Sequence, residues 1–135
     1  MNLFADSGAW QALYDAGDKY HALAGDAFRS LTGQRVIFYI TDYVFDETVT
    51  LVRGRARHRQ ATLCGDWLIR SPRVRLVYVT PQIWNEAWEM FKQYDDKNFS
   101  FTDCTSFVVM RQQGLRDVFS FDRHFEQMGY RLWPH

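Results

Sequence analysis

A chain of 135 residues is long enough to bury the core of one domain, and a content of 47% hydrophobic and 17% aromatic residues excludes a disordered chain. Sixteen Lys and Arg balance sixteen Asp and Glu, so no global field draws the protein to nucleic acid or to an anionic membrane, and a polyanionic partner would need a local patch. Two cysteines, Cys64 and Cys104, are too few for a disulfide framework or a thiolate zinc cage, and each reads as a small buried hydrophobe.

The opening stretch MNLFADSGAW has neither a basic n-region nor an apolar h-region, so it is not read as a signal peptide. No apolar run approaches the roughly twenty residues of a membrane span. The expectation is a soluble protein in a reducing, cytoplasmic setting, with no membrane partner. Asn2 to Ala5 reads as a strand, followed by helical patterns at Ser7 to Tyr14 and Tyr20 to Leu31. Val36 to Ile40 (VIFYI) reads as the second strand, and Tyr43 to Ile69 as two helices or one bent one. Val74 to Val79 is the third strand, after which Pro81 opens a helix at a first-turn position. Ile83, Trp84, Ala87, Trp88 and Phe91 recur there at helical spacing, and the two tryptophans are expected in the core, with a protein–protein interface as their alternative. Thr102 to Gln113 forms the next helix and Gly114 stops it. A strand at Val118 to Phe121, a short helix at Arg123 to Met128 and a closing strand at Tyr130 to Trp133 complete the chain.

These strand runs are β-branched or aromatic and mostly continuous, as in strands buried on both faces. Strand and helix alternate throughout, with no repeat, linker or low-complexity tract. The prediction is therefore a single α/β domain over residues 1–135, its parallel sheet covered by helices on both faces.

In such a sheet, ligands bind beyond the carboxyl ends of the strands. Asp6 ends the first strand and Asp122 the fourth. Glu47 lies in the first turns after the second strand. Asp103 begins a helix for which Ser100 or Thr102 is the N-cap. Carboxylates gathered at one edge repel each other unless a cation separates them. A hard divalent ion such as Mg²⁺ or Mn²⁺ prefers oxygen ligands and typically completes its shell with substrate phosphate. That chemistry suits phosphodiester hydrolysis without a protein nucleophile.

Four segments resemble the PIN-domain nucleases, and within them the toxin subunits of VapBC-type toxin–antitoxin pairs: LFADSGAWQAL, TDYVFDETVTLV, NFSFTDCTSFVVM and VFSFDRHFEQMGY. The third is the most distinctive, being similar to the family's S-x-T-D-x-x-S-F pattern. The resemblance spans nearly the whole chain in the family's order. It implies a three-layer α/β/α fold with a central, mostly parallel sheet. It also implies endoribonuclease activity with Mg²⁺ or Mn²⁺, inhibition by a cognate antitoxin, and a homodimer. Residue by residue, it implies metal-binding and catalytic roles for Asp6, Glu47, Asp103 and Asp122. Ser120 would hold a ligand or water, and Thr102 and Ser106 would orient the site around Asp103. Ser7-Gly8 stands where the family more often has Thr-Ser. Asp46 adjoins Glu47, and Glu47 is preferred because it shares a helical face with Tyr43 and Leu51.

The basic run RGRARHRQ, Arg53 to Gln60, reads as a solvated face or as a contact for RNA phosphate, with Arg53 and Arg57 on one helical face and Arg55 and Arg59 on another. Arg111 and Arg123 are weaker contacts of the same kind. His124 is read as a supporting residue, Asp42 as a first-turn acid, and Asp15 and Asp18 as surface charges. Two rival readings stand beside the nuclease. One is a catalytically inactive PIN-fold module that binds RNA or protein. The other is an α/β phosphohydrolase with a covalent aspartate, for which ADSGAW has one acid where a D-x-D pair is wanted.

Overall fold

The computed structural model describes residues 1–135 as five strands and seven helices. Strand β1 (Asn2–Ala5) gives way at Asp6 to α1 (Ser7–Tyr14) and α2 (His21–Thr32). Strand β2 (Ile37–Thr41) leads into α3 (Asp42–Arg55), whose N-cap Thr41 accepts a hydrogen bond from the Val44 backbone N–H. Ala56, with φ −111° and ψ −95°, breaks the helix before α4 (His58–Arg70). This resolves the 43–69 pattern into two helices. After β3 (Val74–Val77), Thr80 caps α5 (Pro81–Gln93), with Pro at the first turn as expected. Helix α6 (Phe101–Gln113) ends at Gly114, whose φ of 66° favours a residue without a Cβ. Strand β4 (Asp117–Phe119), α7 (His124–Gln127) and β5 (Arg131–Trp133) follow.

All strand pairs are parallel, and the sheet order is β3-β2-β1-β4-β5. The chain leaves β1 toward β2 and β3, then crosses back to β4 and β5. Right-handed crossovers therefore place α1 to α4 over one face and α5 to α7 over the other. The helix contacts agree: α1 touches α2, α3 and α4, and α5 packs on α6. The direction reverses between β1 and β4, which pair Phe4 with Val118 and Ala5 with Phe119. A crevice for ligands is expected at that point, beyond the carboxyl ends of these two strands. No helix is long and apolar enough to cross a membrane.

The central strands β1, β2 and β4 are almost wholly buried, whereas the edge strands β3 and β5 are only partly so. Continuous burial on both faces therefore holds for three of the five predicted strands. Trp10 of α1 sits at the aromatic centre, with Phe28, Phe38, Trp67 and Phe119 at ring-centroid distances of 5.2–6.3 Å. Phe107 anchors α6 against Phe99 and Phe125. Cys64 and Cys104 are buried free thiols, as read from the sequence.

The expectation that Trp84 and Trp88 lie in the core is not met. Each is 43% exposed and Phe91 is 39% exposed, while Ile83, Ala87 and Met90 take the buried face. Helix α5 carries two adjacent apolar stripes, and only the narrower-bodied one reaches the interior. The aromatic stripe leans instead on Phe101 at the start of α6, with Trp84 at 5.5 Å from it and Trp88 at 6.5 Å.

Candidate metal centre

The crevice at the β1–β4 reversal is a cleft of about 480 Å³. Asp6, Glu47, Asp103 and Asp122 all line it. Each reaches it from a different element. Asp6 immediately follows β1, and its backbone N–H donates to the Phe119 carbonyl at 3.0 Å, which ties the two central strands together at the cleft floor. Glu47 projects from α3, with Leu51 one turn further along the same wall, while the neighbouring Asp46 is exposed and does not line the cleft. Asp103 stands in the first turn of α6 and Asp122 in the turn after β4.

Hydrogen bonds fix these carboxylates one oxygen at a time. Ser7 Oγ donates to Glu47 Oε1, so the serine in the unusual Ser7-Gly8 turn supplies a hydroxyl contact. Asp103 Oδ2 accepts from the Ser100 backbone N–H at 3.0 Å and lies 3.0 Å from His124 Nδ1. Asp122 Oδ1 accepts from the His124 backbone N–H at 2.9 Å and lies 3.3 Å from His124 Nδ1. The second oxygens, Glu47 Oε2, Asp103 Oδ1 and Asp122 Oδ2, accept no hydrogen bond from the protein. At Asp6, Oδ2 accepts from Ser120 Oγ at 3.3 Å. Ser120 in turn accepts from the Asp122 backbone N–H at 2.9 Å, so one buried hydroxyl links two acids.

The electrostatics are strained. Burial, and then repulsion from Asp103, Glu47 and Asp122, push the Asp6 carboxyl up to about 8. Burial also raises Asp103, only partly offset by Ser100 and His124. Carboxylates that line one cleft with unclaimed oxygens suit a hard divalent cation and not a thiophilic one, although Asp6 and Glu47 stand outside the tightest group of ligand atoms. Asp103, Asp122 and His124 can present ligand atoms within 4.8 Å of one another.

Several predicted side chains fall elsewhere. Ser100, and not Thr102, caps α6: its Oγ accepts from the Asp103 N–H while the Asp103 carboxylate accepts from the Ser100 N–H, a complete capping box. Neither Thr102 nor Ser106 makes a side-chain hydrogen bond to Asp103, whose partners are Ser100 and His124. Thr102 offers only its carbonyl to Thr105, and the buried Ser106 hydroxyl has no partner. Asp42 is the first-turn acid of α3, as read, and its carboxylate also accepts the Val79 N–H at 2.7 Å, which ties α3 to the β3 end.

Arg53 and Arg57 do not line the cleft. The break at Ala56 separates them, so they share no helical face, and Arg53 instead lines a larger hollow of about 730 Å³ between α3 and α4. That hollow holds a single acid, Asp66, and no cation-binding donor set. Arg55, the last residue of α3, does line the acidic cleft, as do Lys19 and Asp18 from the α1–α2 connection. Arg55 entered the sequence reading only as a member of the basic run, Asp18 only as a surface charge and Lys19 not at all, because residues at a helix end or in a loop carry no periodic signal.

Residues 3–129 match the PIN domain family. The chain is 34% identical over 128 residues to the 23S rRNA-specific endonuclease VapC20 of Mycobacterium tuberculosis, in strains H37Rv and CDC 1551, with 95% of each chain covered. It is 26% identical over 127 residues to a VapC ribonuclease of Archaeoglobus fulgidus, covering 93% of this chain and 80% of that one. The crystal structure of M. tuberculosis VapC20, a sarcin–ricin loop cleaving toxin, matches with a TM-score of 0.85 at 33% identity over 95% of both chains. With a parallel sheet reversing at β1 and β4 and four acids at that reversal, this chain belongs to the PIN domain family.

Proposed function

We propose that the chain is a metal-dependent endoribonuclease that hydrolyses RNA phosphodiester bonds. In this reading it is the toxin of a type II toxin–antitoxin pair, restrained by a cognate antitoxin and assembling as a homodimer. Support comes first from the four carboxylates at the β1–β4 crevice, each held by one oxygen, with the Asp6 carboxyl pushed up to about 8 by burial and then by repulsion from the other three. The relatives' names, endonuclease and ribonuclease, supply the reaction class. The 23S rRNA named for VapC20 makes ribosomal RNA the first substrate to test.

Asp6, Glu47, Asp103 and Asp122 would hold Mg²⁺ or Mn²⁺. When bound, such an ion neutralises the carboxylates, polarises a phosphoryl oxygen and lowers the pKa of water. The chain's own residues prepare the site. Ser7 and Ser120 hold the Glu47 and Asp6 rotamers, so no reorientation is needed when substrate arrives. His124 Nδ1, between Asp103 and Asp122, keeps those two carboxylates together despite their repulsion. The crevice leaves one face of the acids open, so that a phosphodiester can approach with water opposite the leaving oxygen.

The test is cleavage of ribosomal RNA by purified protein with Mn²⁺ or with EDTA. Asp6→Asn and Asp103→Asn should each lose at least about 100-fold in rate, the scale set by removing preorganised charge stabilisation from an active site. Cleavage by either variant at the wild-type rate would refute the site.

A further inference from the structure

Two features beside the acids have no part in holding them. Lys19 and Arg55 stand on different walls of the cleft, in the α1–α2 connection and at the end of α3, and both are exposed. Neither forms an ion pair, although carboxylates line the same cleft. Two unpaired cations facing a common opening leave a place for an anion between them. The second feature is aromatic. Tyr20 and Phe121 stack in parallel, with ring centroids 4.4 Å apart and an interplanar angle of 0°, and Lys19 Nζ lies 5.0 Å from the Tyr20 centroid.

This stack is the partition between the acidic cleft and a second cavity of about 630 Å³. The second cavity continues along Leu23, Tyr130 and Leu132, with Arg123 and Arg131 at its edge. Its volume falls within the roughly 300–1,000 Å³ of small-ligand pockets, and its aromatic wall suits a base, whereas Arg123 and Arg131 are already paired with Glu126 and Asp117, so the cations left for phosphate are Lys19 and Arg55 on the cleft side. Proteins that bind unpaired RNA use the same combination, stacking bases on aromatic rings while cations track the backbone.

We propose that Lys19 and Arg55 hold the phosphates flanking the cleavage position, and that the cavity behind the Tyr20–Phe121 stack receives the base of an unpaired neighbouring nucleotide. This rests on the endoribonuclease reading and adds to it that the RNA is engaged with one nucleotide out of its helix. It also moves the basic contact from Arg53 and Arg57 to residues that face the acids.

Fluorescence anisotropy of a labelled single-stranded RNA tests this in an Asp103→Asn background with Mg²⁺, between about 50 and 300 mM salt. Lys19→Gln and Arg55→Gln should each weaken binding several-fold and reduce the salt slope by about 0.7. Phe121→Leu and Tyr20→Leu should weaken it about tenfold with the slope unchanged, and Phe121→Tyr should restore it. Arg53→Gln serves as the control and should bind as the parent does. Melting curves identify any variant that fails to fold, and Phe121→Tyr keeps the stack testable in that event. Parental affinity in all four folded variants would overturn the subsite alone. Loss of antitoxin binding with RNA binding intact would overturn it too, and assign the surface to the protein partner. Absence of RNA binding by the parent, or cleavage of the probe by the Asp103→Asn background, would overturn the endoribonuclease reading beneath it.

Discussion

At Asp6, burial and three neighbouring carboxylates push the side chain up to about 8, so in metal-free protein at neutral pH it keeps its proton. The folded state then binds this proton more tightly than the unfolded chain, where the ordinary value is 3.8. Its stabilising effect is complete below that ordinary value and is lost as pH rises through about 8. Melts in EDTA should show the wild-type midpoint falling by several degrees from pH 6 to pH 8.5. Asp6→Asn, which mimics the protonated form, should stay nearly flat and overtake the wild type at the alkaline end; parallel curves would contradict the repulsion. That four acids would share one cleft was legible in the sequence, because Asp6 and Asp122 follow strand ends, Asp103 lies in the first turn of α6 and Glu47 in the early turns of α3. What escaped was the division of labour within one side chain. Asp103 is both a helix cap and a cleft acid: its Oδ2 accepts from the Ser100 N–H and lies beside His124 Nδ1, while its Oδ1 is left without a protein partner. Asp18 and Arg55 escaped for a different reason: their places depend on how a loop and a helix terminus fold back over the sheet.

Among the elements, α6 shows how capping and site geometry are joined. Its capping box contributes on the order of 1 kcal/mol, and it also aims Asp103. Ser100→Ala should therefore lower the melting midpoint by a few degrees and reduce cleavage more than that loss of stability accounts for. Ser100→Thr should recover most of both, as measured by calorimetry and RNA cleavage on the same samples. Helix starts and stops were readable where a residue has a local chemical reason, as with Pro81 and Gly114. The position of the break at Ala56 was not, because Arg53 to Arg59 has Ala56 as its one apolar side chain and offers no apolar face whose phase could be followed. Helix α5 misled for the opposite reason. Its apolar residues form more than one stripe, and spacing alone does not say which stripe the sheet will cover.

Across the whole molecule, strand identity could be read along the chain but strand order could not, since the order comes from which surfaces pack together. Trp10 shows the strength of that packing: it joins α1 to β2, β4, α2 and α4 through four aromatic neighbours. Trp10→Ala should cost about 3–5 kcal/mol, a large share of the roughly 5–15 kcal/mol available to a native protein. A urea titration would register this as a lower midpoint with little change in slope. The placement of β4 between β1 and β5 has a further consequence. Ser120 and Asp6 meet across a separation of 114 residues, so the last strands to be made complete the cleft begun by the first. A nascent chain that has emerged only through α5 carries Asp6 and Glu47 but lacks the other half of the constellation. The quartet is therefore assembled only once α6 and the turn after β4 have folded against the elements that carry the first two acids.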